Sequence, residues 1–362
     1  MYSVQDFIHR VKASNGLICY GAGIRLRTFE ESFRQSDILD KVLFCVDRNK
    51  KLHGTKICLG NKKVSILPVE SLDNVNTKNT ILLITNLRYD EVLSDPLNKK
   101  YFQEKSYYCF THLHGMILED KAMKKKIPED FCLTNKPIIP KTIHYCWFGH
   151  SPLPDQYKKW IETWYKYCPD YEIKEWNEDN YDITKNHYMY EAYQNQKWGF
   201  VPDYARLDII YEHGGIYLDT DVELVQGLDD LLYQKGFCGF ERENCVAFGL
   251  GFGAIKGLAI IKEMRDAYNE ISFVKSDGSL NLKASPEYST DILLKKGLVL
   301  NGEYQIVDGL TIFPEKMFSG KCPYTRRIRL LPYTKSIHQY EASWADTEWK
   351  KRNEKFETEM NS

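Results

Sequence analysis

The stretch from Phe200 to Val222, FVPDYARLDIIYEHGGIYLDTDV, constrains this chain more than any other, because it specifies a helix, its stop and a following strand in one short run. Pro202 and Asp203 suit a first helical turn, where proline loses no needed N–H and a carboxylate complements the positive end of the helix. Leu207, Ile210 and Tyr211 repeat at i, i+3 and i+4, which gives one apolar stripe, and Gly214-Gly215 can end the helix in the left-handed region. Ile216-Tyr217-Leu218 then reads as a short buried strand. Alternation along that strand puts Asp219 and Asp221 on one side and Thr220 on the other.

Two carboxylates in one small volume repel each other, and a hard divalent cation with oxygen ligands relieves the repulsion. The reading is therefore a Mg2+ or Mn2+ site. Asp203 and Arg206 lie three apart on a helical face and can project toward the same strand end. The plainer reading makes Asp219 and Asp221 part of a polar turn, and Asp203 with Arg206 a surface ion pair worth ~0.3–0.5 kcal/mol. Asp-x-Asp alone is common by chance. The helix, the glycine pair and the strand in front of it favour the site.

Asp203-x-x-Arg206 followed by Gly214-Gly215-Ile216-Tyr217-Leu218-Asp219-Thr220-Asp221 resembles the sugar-transferase signature of glycosyltransferase family 32. That family includes mannosyltransferases and bacterial capsule enzymes, and in these motifs it is similar to the catalytic domains of the large glucosylating bacterial toxins. The resemblance implies an α/β fold of the GT-A type, a nucleotide-sugar donor, Mn2+ or Mg2+, and retention at the anomeric carbon. It implies that Asp219 and Asp221 serve the metal, that Asp203 and Arg206 grip donor-sugar hydroxyls, and that Tyr217 supports their pocket. Asp203, Arg206, Asp219 and Asp221 are then the catalytic set, with Asp219 also touching the donor.

Two flanking segments extend the resemblance. Pro140 to Gly149, PKTIHYCWFG, reads as a strand and its loop. In the family's similar opening motif a tryptophan stacks on the donor base. Trp147 matches it, with backbone groups of Cys146 placed to read the base edge; an indole platform is worth ~1–3 kcal/mol per stacked base. His144, inside that strand, reads as a satisfied structural histidine. Lys335-Ser-Ile-His338 and Ser343-Trp344 resemble the family's C-terminal elements. His338 would complete the metal's coordination or hold the diphosphate, and Ser343 and Trp344 would close over it. Between Val222 and Leu330 the resemblance is weak; there Phe248-Gly-Leu-Gly-Phe-Gly253 spaces three glycines so that a ligand could approach the backbone.

The expected organisation is a Rossmann-like α/β module over 1–118, a linker over 119–136, a GT-A catalytic domain over 137–345 and a charged helical tail over 346–362. In the first module the strands fall at 17–20, 42–46, 64–67, 81–85 and 107–110. Gly21-Ala22-Gly23 followed by Asp47 resembles a dinucleotide site, but Leu26 stands where close helix packing wants a third glycine, which argues against NAD. The module's role stays open among nucleotide-sugar recognition, docking and scaffolding.

Lysine plus arginine (49) nearly balance aspartate plus glutamate (50), so no global field favours nucleic acid. The 10 cysteines form no CxxC pair, which fits buried thiols in a reducing compartment. With no apolar run for a signal peptide or a span near the N-terminus, the expected location is the cytoplasm. The basic cluster at Lys121 to Lys126 can touch the inner face of an anionic plasma membrane, or can simply be a solvated helix face.

The function expected is a retaining, metal-dependent hexosyltransferase of bacterial capsular polysaccharide synthesis. Its donor would be a UDP-sugar, and its acceptor a glycan or a polyprenyl-linked oligosaccharide. Two rivals stand beside it. One is a haloacid-dehalogenase-type phosphatase, because Leu218-Asp-Thr-Asp-Val222 also fits a strand running into Asp-x-Asp-x-Val, where the first aspartate is a nucleophile. The other is a scaffold that binds nucleotide-sugars without turnover.

Overall fold

The computed structural model describes residues 3–75, 79–102, 107–242 and 245–341. The chain divides into two compact units. Among the described residues, one is formed by the chain up to Asp120 together with Pro323–Arg326, the other by Lys121–Cys322 and residues 327–341.

The first unit contains α1 (Val4–Ala13), β1 (Gly16–Tyr20), α2 (Ile24–Ser32), β2 (Val42–Val46), β3 (Lys56–Leu59), β4 (Lys62–Leu67) and β5 (Thr80–Ile84). After these come α3 (Tyr89–Ser94), α4 (Pro96–Phe102), β6 (Tyr107–Cys109) and α5 (Phe110–Ala122). Its sheet runs β3-β4-β2-β1-β5-β6 and is parallel except for β3. Every residue of β1 and β5 is buried, as expected where helices cover both faces of a parallel sheet. The strand that sequence reading passes over is β3, whose alternating burial is too short a signal to stand out. Gly21 (φ +109°) turns the chain against Thr85, and the Ala22 N–H donates to Asp47 Oδ2 at 2.7 Å. The other Asp47 oxygen accepts from the Asn49 N–H at 2.8 Å. The acidic residue after the second strand is thus engaged by backbone, a second observation against the dinucleotide reading.

The residues expected as a linker are taken up at both ends. Glu119 is buried within α5, while Phe131 packs in the core of the second unit and its carbonyl accepts from Gln234 Nε2 at 2.7 Å.

The second unit contains β7 (Thr142–Cys146), α6 (Asp155–Tyr167), β8 (Glu172–Trp176), α7 (His187–Gln194), α8 (Val201–His213), β9 (Gly215–Tyr217) and β10 (Val222–Leu224). It continues with β11 (Gly236–Glu241), β12 (Cys245–Ala247), β13 (Phe252–Ala254), α9 (Ala259–Asp266), α10 (Ser285–Lys295), β14 (Gln305–Val307), β15 (Leu310–Phe313) and β16 (Ser336–His338). Its main sheet runs β14-β15-β11-β13-β9-β7-β8, with β12 beside β11, and β10 pairs with β16 apart from it. The architecture is mixed α/β, the class expected. Fully buried Trp164 holds α6 in place by donating Nε1 to the Val222 carbonyl at 2.8 Å.

Helix α8 starts and stops where the sequence places it, but it is not a one-stripe surface helix. Asp203, Arg206 and Asp208 are buried along with Leu207, Ile209 and Ile210. Each buried charge is paired, as burial requires: Asp208 accepts from Tyr181 Oη at 2.8 Å, Lys185 Nζ at 3.0 Å and Arg265 Nη1 at 3.2 Å. The glycine pair also has a packing reason. A Cβ on Gly215 (φ +101°) would lie 2.7 Å from the Thr142 carbonyl and 2.9 Å from His144 Nε2, so only glycine lets β9 run this close to β7.

His144 is the structural residue expected. Its Nε2–H donates to the Gly214 carbonyl at 3.0 Å and its Nδ1 accepts from Trp176 Nε1 at 3.1 Å, which together fix the neutral tautomer. Burial pushes its pKa from 6.5 to about 4, only partly opposed by the bond to Gly214. The folded state therefore binds fewer protons than the unfolded chain between these pH values. This contribution to stability is complete above pH 6.5 and is lost as pH falls toward 4. A slope of about 1.4 kcal/mol per pH unit is expected from it. Denaturant titrations across that window should show the decline, and His144→Gln should flatten it.

Candidate active site

Strands β7 and β9 are parallel and adjacent, so the Trp147 loop and Asp219 leave the sheet at the same edge, where open α/β sheets place their ligands. The Leu218 N–H still donates to the His144 carbonyl at 3.1 Å; beyond it the chain departs from the sheet. The Asp219 N–H reaches the Gly249 carbonyl at 3.3 Å, and the Val222 N–H closes a turn onto the Asp219 carbonyl at 3.1 Å. Asp219 and Asp221 therefore converge through a turn and not through strand alternation, which corrects the sequence argument for their placement while bringing the same two residues together.

The turn leads into β10, whose Val222 stands opposite His338 of β16. That register sets His338 Nε2 at 3.2 Å from Asp221 Oδ1. Asp221 is 8% exposed; its Oδ2 accepts from the Glu341 N–H at 3.0 Å and its carbonyl from the Gln339 N–H at 2.9 Å. Ligand atoms of Asp219, Asp221 and His338 all lie within 4.8 Å of one another. His338 Nδ1 is buried without a hydrogen-bond partner among the described residues.

Electrostatics divide the two aspartates. Burial raises the Asp219 carboxyl; Arg206 opposes this, and the negative charge of Asp221 adds to it. Burial also works against the Asp221 anion, but His338 and the Glu341 N–H outweigh it and hold the pKa below the usual value. His338 is raised in turn: burial disfavours its charge, and Asp221 more than compensates. One carboxylate satisfied and its neighbour short of positive charge is the deficit a divalent cation fills, and two carboxylates with one imidazole suit Mn2+ or Mg2+.

Behind this cluster lies Arg206, 5% exposed. Its Nη2 donates to Asp203 Oδ1 at 2.8 Å, its Nη1 stands 3.7 Å from Asp219 Oδ2, and its Nε donates to the Pro202 carbonyl at 3.0 Å. Its guanidinium carbon lies 5.4 Å from the centroid of buried Tyr217. Burial disfavours the Arg206 charge, but Asp219, Tyr217 and Asp203 outweigh that and hold it firmly protonated. Asp203, 4% exposed, is pushed up to about 6 by burial against the pull of Arg206. Asp203 and Arg206 are thus a buried pair and not a surface one, which removes the plainer reading. A haloacid-dehalogenase site would match its aspartates with lysine; here the cations facing Asp219 and Asp221 are Arg206 and His338.

Cys146 ends β7 with its thiol buried and pushed up to about 12 by burial. Trp147 follows, half-buried, with Nε1 donating to the Ser151 carbonyl at 2.6 Å and its ring 5.5 Å from that of Tyr157. Burial raises the Tyr157 hydroxyl to about 12, with the charges of Asp221 and Glu341 adding to it. Ser343 and Trp344, like the expected tail over 346–362, lie outside the described residues.

One residue here escaped notice in the sequence, and another was read for the wrong reason. Tyr157 carries no spacing signal, since its helix announces itself through Trp160 and Trp164. Gly249 did carry one, in the glycine-spaced run, but its reason is different from ligand approach: a Cβ there would collide with Asp219 Oδ2 and lie 3.0 Å from Arg206 Nη1. The glycine makes room for the site's own side chains.

Comparison with known proteins places this geometry in context. Residues 154–238 match the family described as a glycosyltransferase sugar-binding region containing a DXD motif. An uncharacterised glycosyltransferase of Acanthamoeba polyphaga mimivirus is 32% identical over 101 residues, 26% of this chain and 40% of that protein. Inositol phosphoceramide mannosyltransferases 2 and 3 of Schizosaccharomyces pombe are 29% and 33% identical over 109 and 103 residues, covering 28% and 26% of this chain and 30% and 28% of theirs. The matches thus span well under half of each relative's length. Among solved structures, the PaToxG glycosyltransferase aligns with 50% of this chain and 74% of its own, at 16% identity and a TM-score of 0.34.

The Gly249 contact generates a direct test. Gly249→Ala must displace the Asp219 carboxylate or the arginine behind it, at a cost of about 1–3 kcal/mol. Chemical denaturation should show that loss, and Mn2+ titration of the folded variant should show affinity lowered by ~10–100-fold, as when the support of a metal ligand is disturbed.

Proposed function

We propose that this chain, a member through residues 154–238 of the DXD-containing glycosyltransferase family, moves a sugar from a nucleotide-sugar to a glycan or lipid-linked acceptor. The observation that carries the proposal is the convergence of Asp219, Asp221 and His338, backed by the buried Arg206–Asp203 pair, within and beside the matched region. A UDP-hexose is the donor proposed. The two yeast relatives are named for mannosyl transfer onto inositol phosphoceramide, which supports a hexose as the sugar and leaves a lipid-linked acceptor in play. A polyprenyl-linked oligosaccharide of bacterial capsule synthesis is the acceptor we favour. No helix among the described residues is long and apolar enough to cross a membrane.

In this reading Trp147 offers a face to the donor base, with the Cys146 backbone beside it. Asp219, Asp221 and His338 would hold Mn2+ or Mg2+. Such an ion, when bound, neutralises charge that builds on the departing diphosphate, a contribution of several kcal/mol. The other tasks fall to the protein. Arg206 cannot move without uncovering Asp203 and Asp219, so it would present a fixed positive charge to the donor sugar's hydroxyls. Asp203, ionised at neutral pH with its pKa near 6, accepts from donor-sugar hydroxyls. Tyr217 keeps the guanidinium from swinging back. The acceptor oxygen attacks on the face the diphosphate leaves, the bond to the diphosphate oxygen breaks, and the acceptor's proton passes to that oxygen, so configuration is retained.

Two treatments test this. Asp221→Ala should lower donor hydrolysis by at least ~10²–10³-fold, the scale set by removing one preorganised electrostatic partner. Excess chelator should silence the unmodified protein, with activity restored by Mn2+. Turnover that persists undiminished in the variant or in chelator would remove the proposal.

A further inference from the structure

Beside the acidic cluster the backbone takes a conformation that its residue does not favour. Tyr340 has φ +57°, in the left-handed region that glycine and asparagine enter readily and a bulky side chain rarely does. Its two neighbours both serve Asp221. Before it, the Gln339 N–H donates to the Asp221 carbonyl at 2.9 Å. After it, the Glu341 N–H donates to Asp221 Oδ2 at 3.0 Å. The register that sets Val222 opposite His338 puts position 339 beside 221, and a continued ladder would put 341 beside 219. The left-handed residue turns the chain back, so the second N–H meets the Asp221 carboxylate instead of running on. Strained residues persist where the surrounding structure over-determines them, and they gather at functional sites.

Here the side chain supplies that determination. The Tyr340 ring stands edge-on to the His338 imidazole, with centroids 4.4 Å apart and planes at 78°. Its hydroxyl lies 2.7 Å from Ser319 Oγ. Fully buried Ser319 donates its own proton to the Lys321 carbonyl at 2.9 Å, so the tyrosine is the donor in that pair. A histidine that ligates a metal is usually oriented by a hydrogen bond from its second ring nitrogen. His338 Nδ1 has no such bond among the described residues. The anchored Tyr340 ring packs against the imidazole instead, while Nε2 faces Asp221 Oδ1 at 3.2 Å.

Resting on the proposed metal site, we infer that Tyr340 is a positioning residue for both Asp221 and His338: its left-handed backbone aims the Glu341 N–H at the carboxylate, and its anchored ring holds the imidazole ready for a divalent cation. Its part is played before any ion arrives, by fixing two of the three side chains that would hold one.

The test compares Tyr340→Phe, Tyr340→Gly, Tyr340→Ala and Asp221→Ala with the unmodified protein, well below thermal unfolding. Amide hydrogen exchange at Glu341 is read without metal, and Mn2+ affinity by calorimetry. Phenylalanine keeps the ring without the hydroxyl, glycine keeps the turn without the ring, and alanine keeps neither the ring nor an easy left-handed backbone. Glu341 exchange should stay within ~3-fold of unmodified in Tyr340→Phe and Tyr340→Gly. It should quicken by ~10-fold or more in Tyr340→Ala and Asp221→Ala, as on losing a hydrogen bond to a charged acceptor. Mn2+ affinity should fall by ~10–100-fold in Tyr340→Ala, by less in Tyr340→Gly and by no more than ~3-fold in Tyr340→Phe. Glycine and alanine alike in Glu341 exchange, phenylalanine binding Mn2+ as weakly as alanine, or a lowered Tm with Mn2+ affinity unchanged would each overturn the inference. If alanine does not fold, the other pair decides: glycine binding Mn2+ more weakly than phenylalanine is expected, and equal binding overturns the inference. Tight and equal Mn2+ binding by every Tyr340 variant removes the inference and leaves the metal site standing. An unmodified protein that binds no Mn2+, with Glu341 exchange following the expected series, removes the metal reading and the inference that rests on it.

Discussion

The second unit depends on one charge that cannot leave. Arg206 lies in the interior with its guanidinium divided between Asp203 and Asp219 and its Nε on a backbone carbonyl. An unpaired guanidinium at that depth would cost several kcal/mol, so the two aspartates and the helix that presents them must adopt the observed arrangement together. Much of the local structure follows. Gly249 must lack a side chain, Tyr217 must lie under the guanidinium, and α8 must be enclosed on all sides although its sequence looks amphipathic. The buried pair is poor evidence of stability and good evidence of purpose, because a packed aliphatic core would stabilise the helix at least as well.

Opposite environments for Asp219 and Asp221 extend the same logic. One shares its cation with Asp203 and sits beside another anion; the other has an imidazole and the Glu341 N–H to itself. Neutral surroundings would have left the two alike. The split means the cluster is built asymmetrically, with Asp221 fixed in advance and Asp219 answering to whatever positive charge arrives.

Much of this was legible in the sequence, for identifiable reasons. Helix start, glycine stop and strand in the 200–222 stretch each follow from local chemistry that no tertiary contact overrides, so α8 and β9 fall where expected. The strands of the first unit were visible because buried parallel strands read as apolar runs. Harder to see was anything decided by partners distant in the chain. The turn that gathers Asp219 and Asp221 depends on the Gly249 carbonyl, and enclosure of α8 depends on Arg265 and Lys185 reaching Asp208. Tyr157 matters only because its ring meets that of Trp147 while its hydroxyl feels the charge of Asp221. Periodicity records which face of an element is apolar and says nothing about which other element will bring a polar group to it.

The third member of the cluster, His338, arrives on β16, whose register with β10 links positions separated by about half of the second unit's length. While the chain is still emerging from the ribosome, Asp219 and Asp221 can be made and even turned toward each other with no imidazole beside them. A pairing of such high contact order forms late. The three side chains of the proposed metal site are therefore not together in the nascent polypeptide, and the site exists only once β16 has found its place.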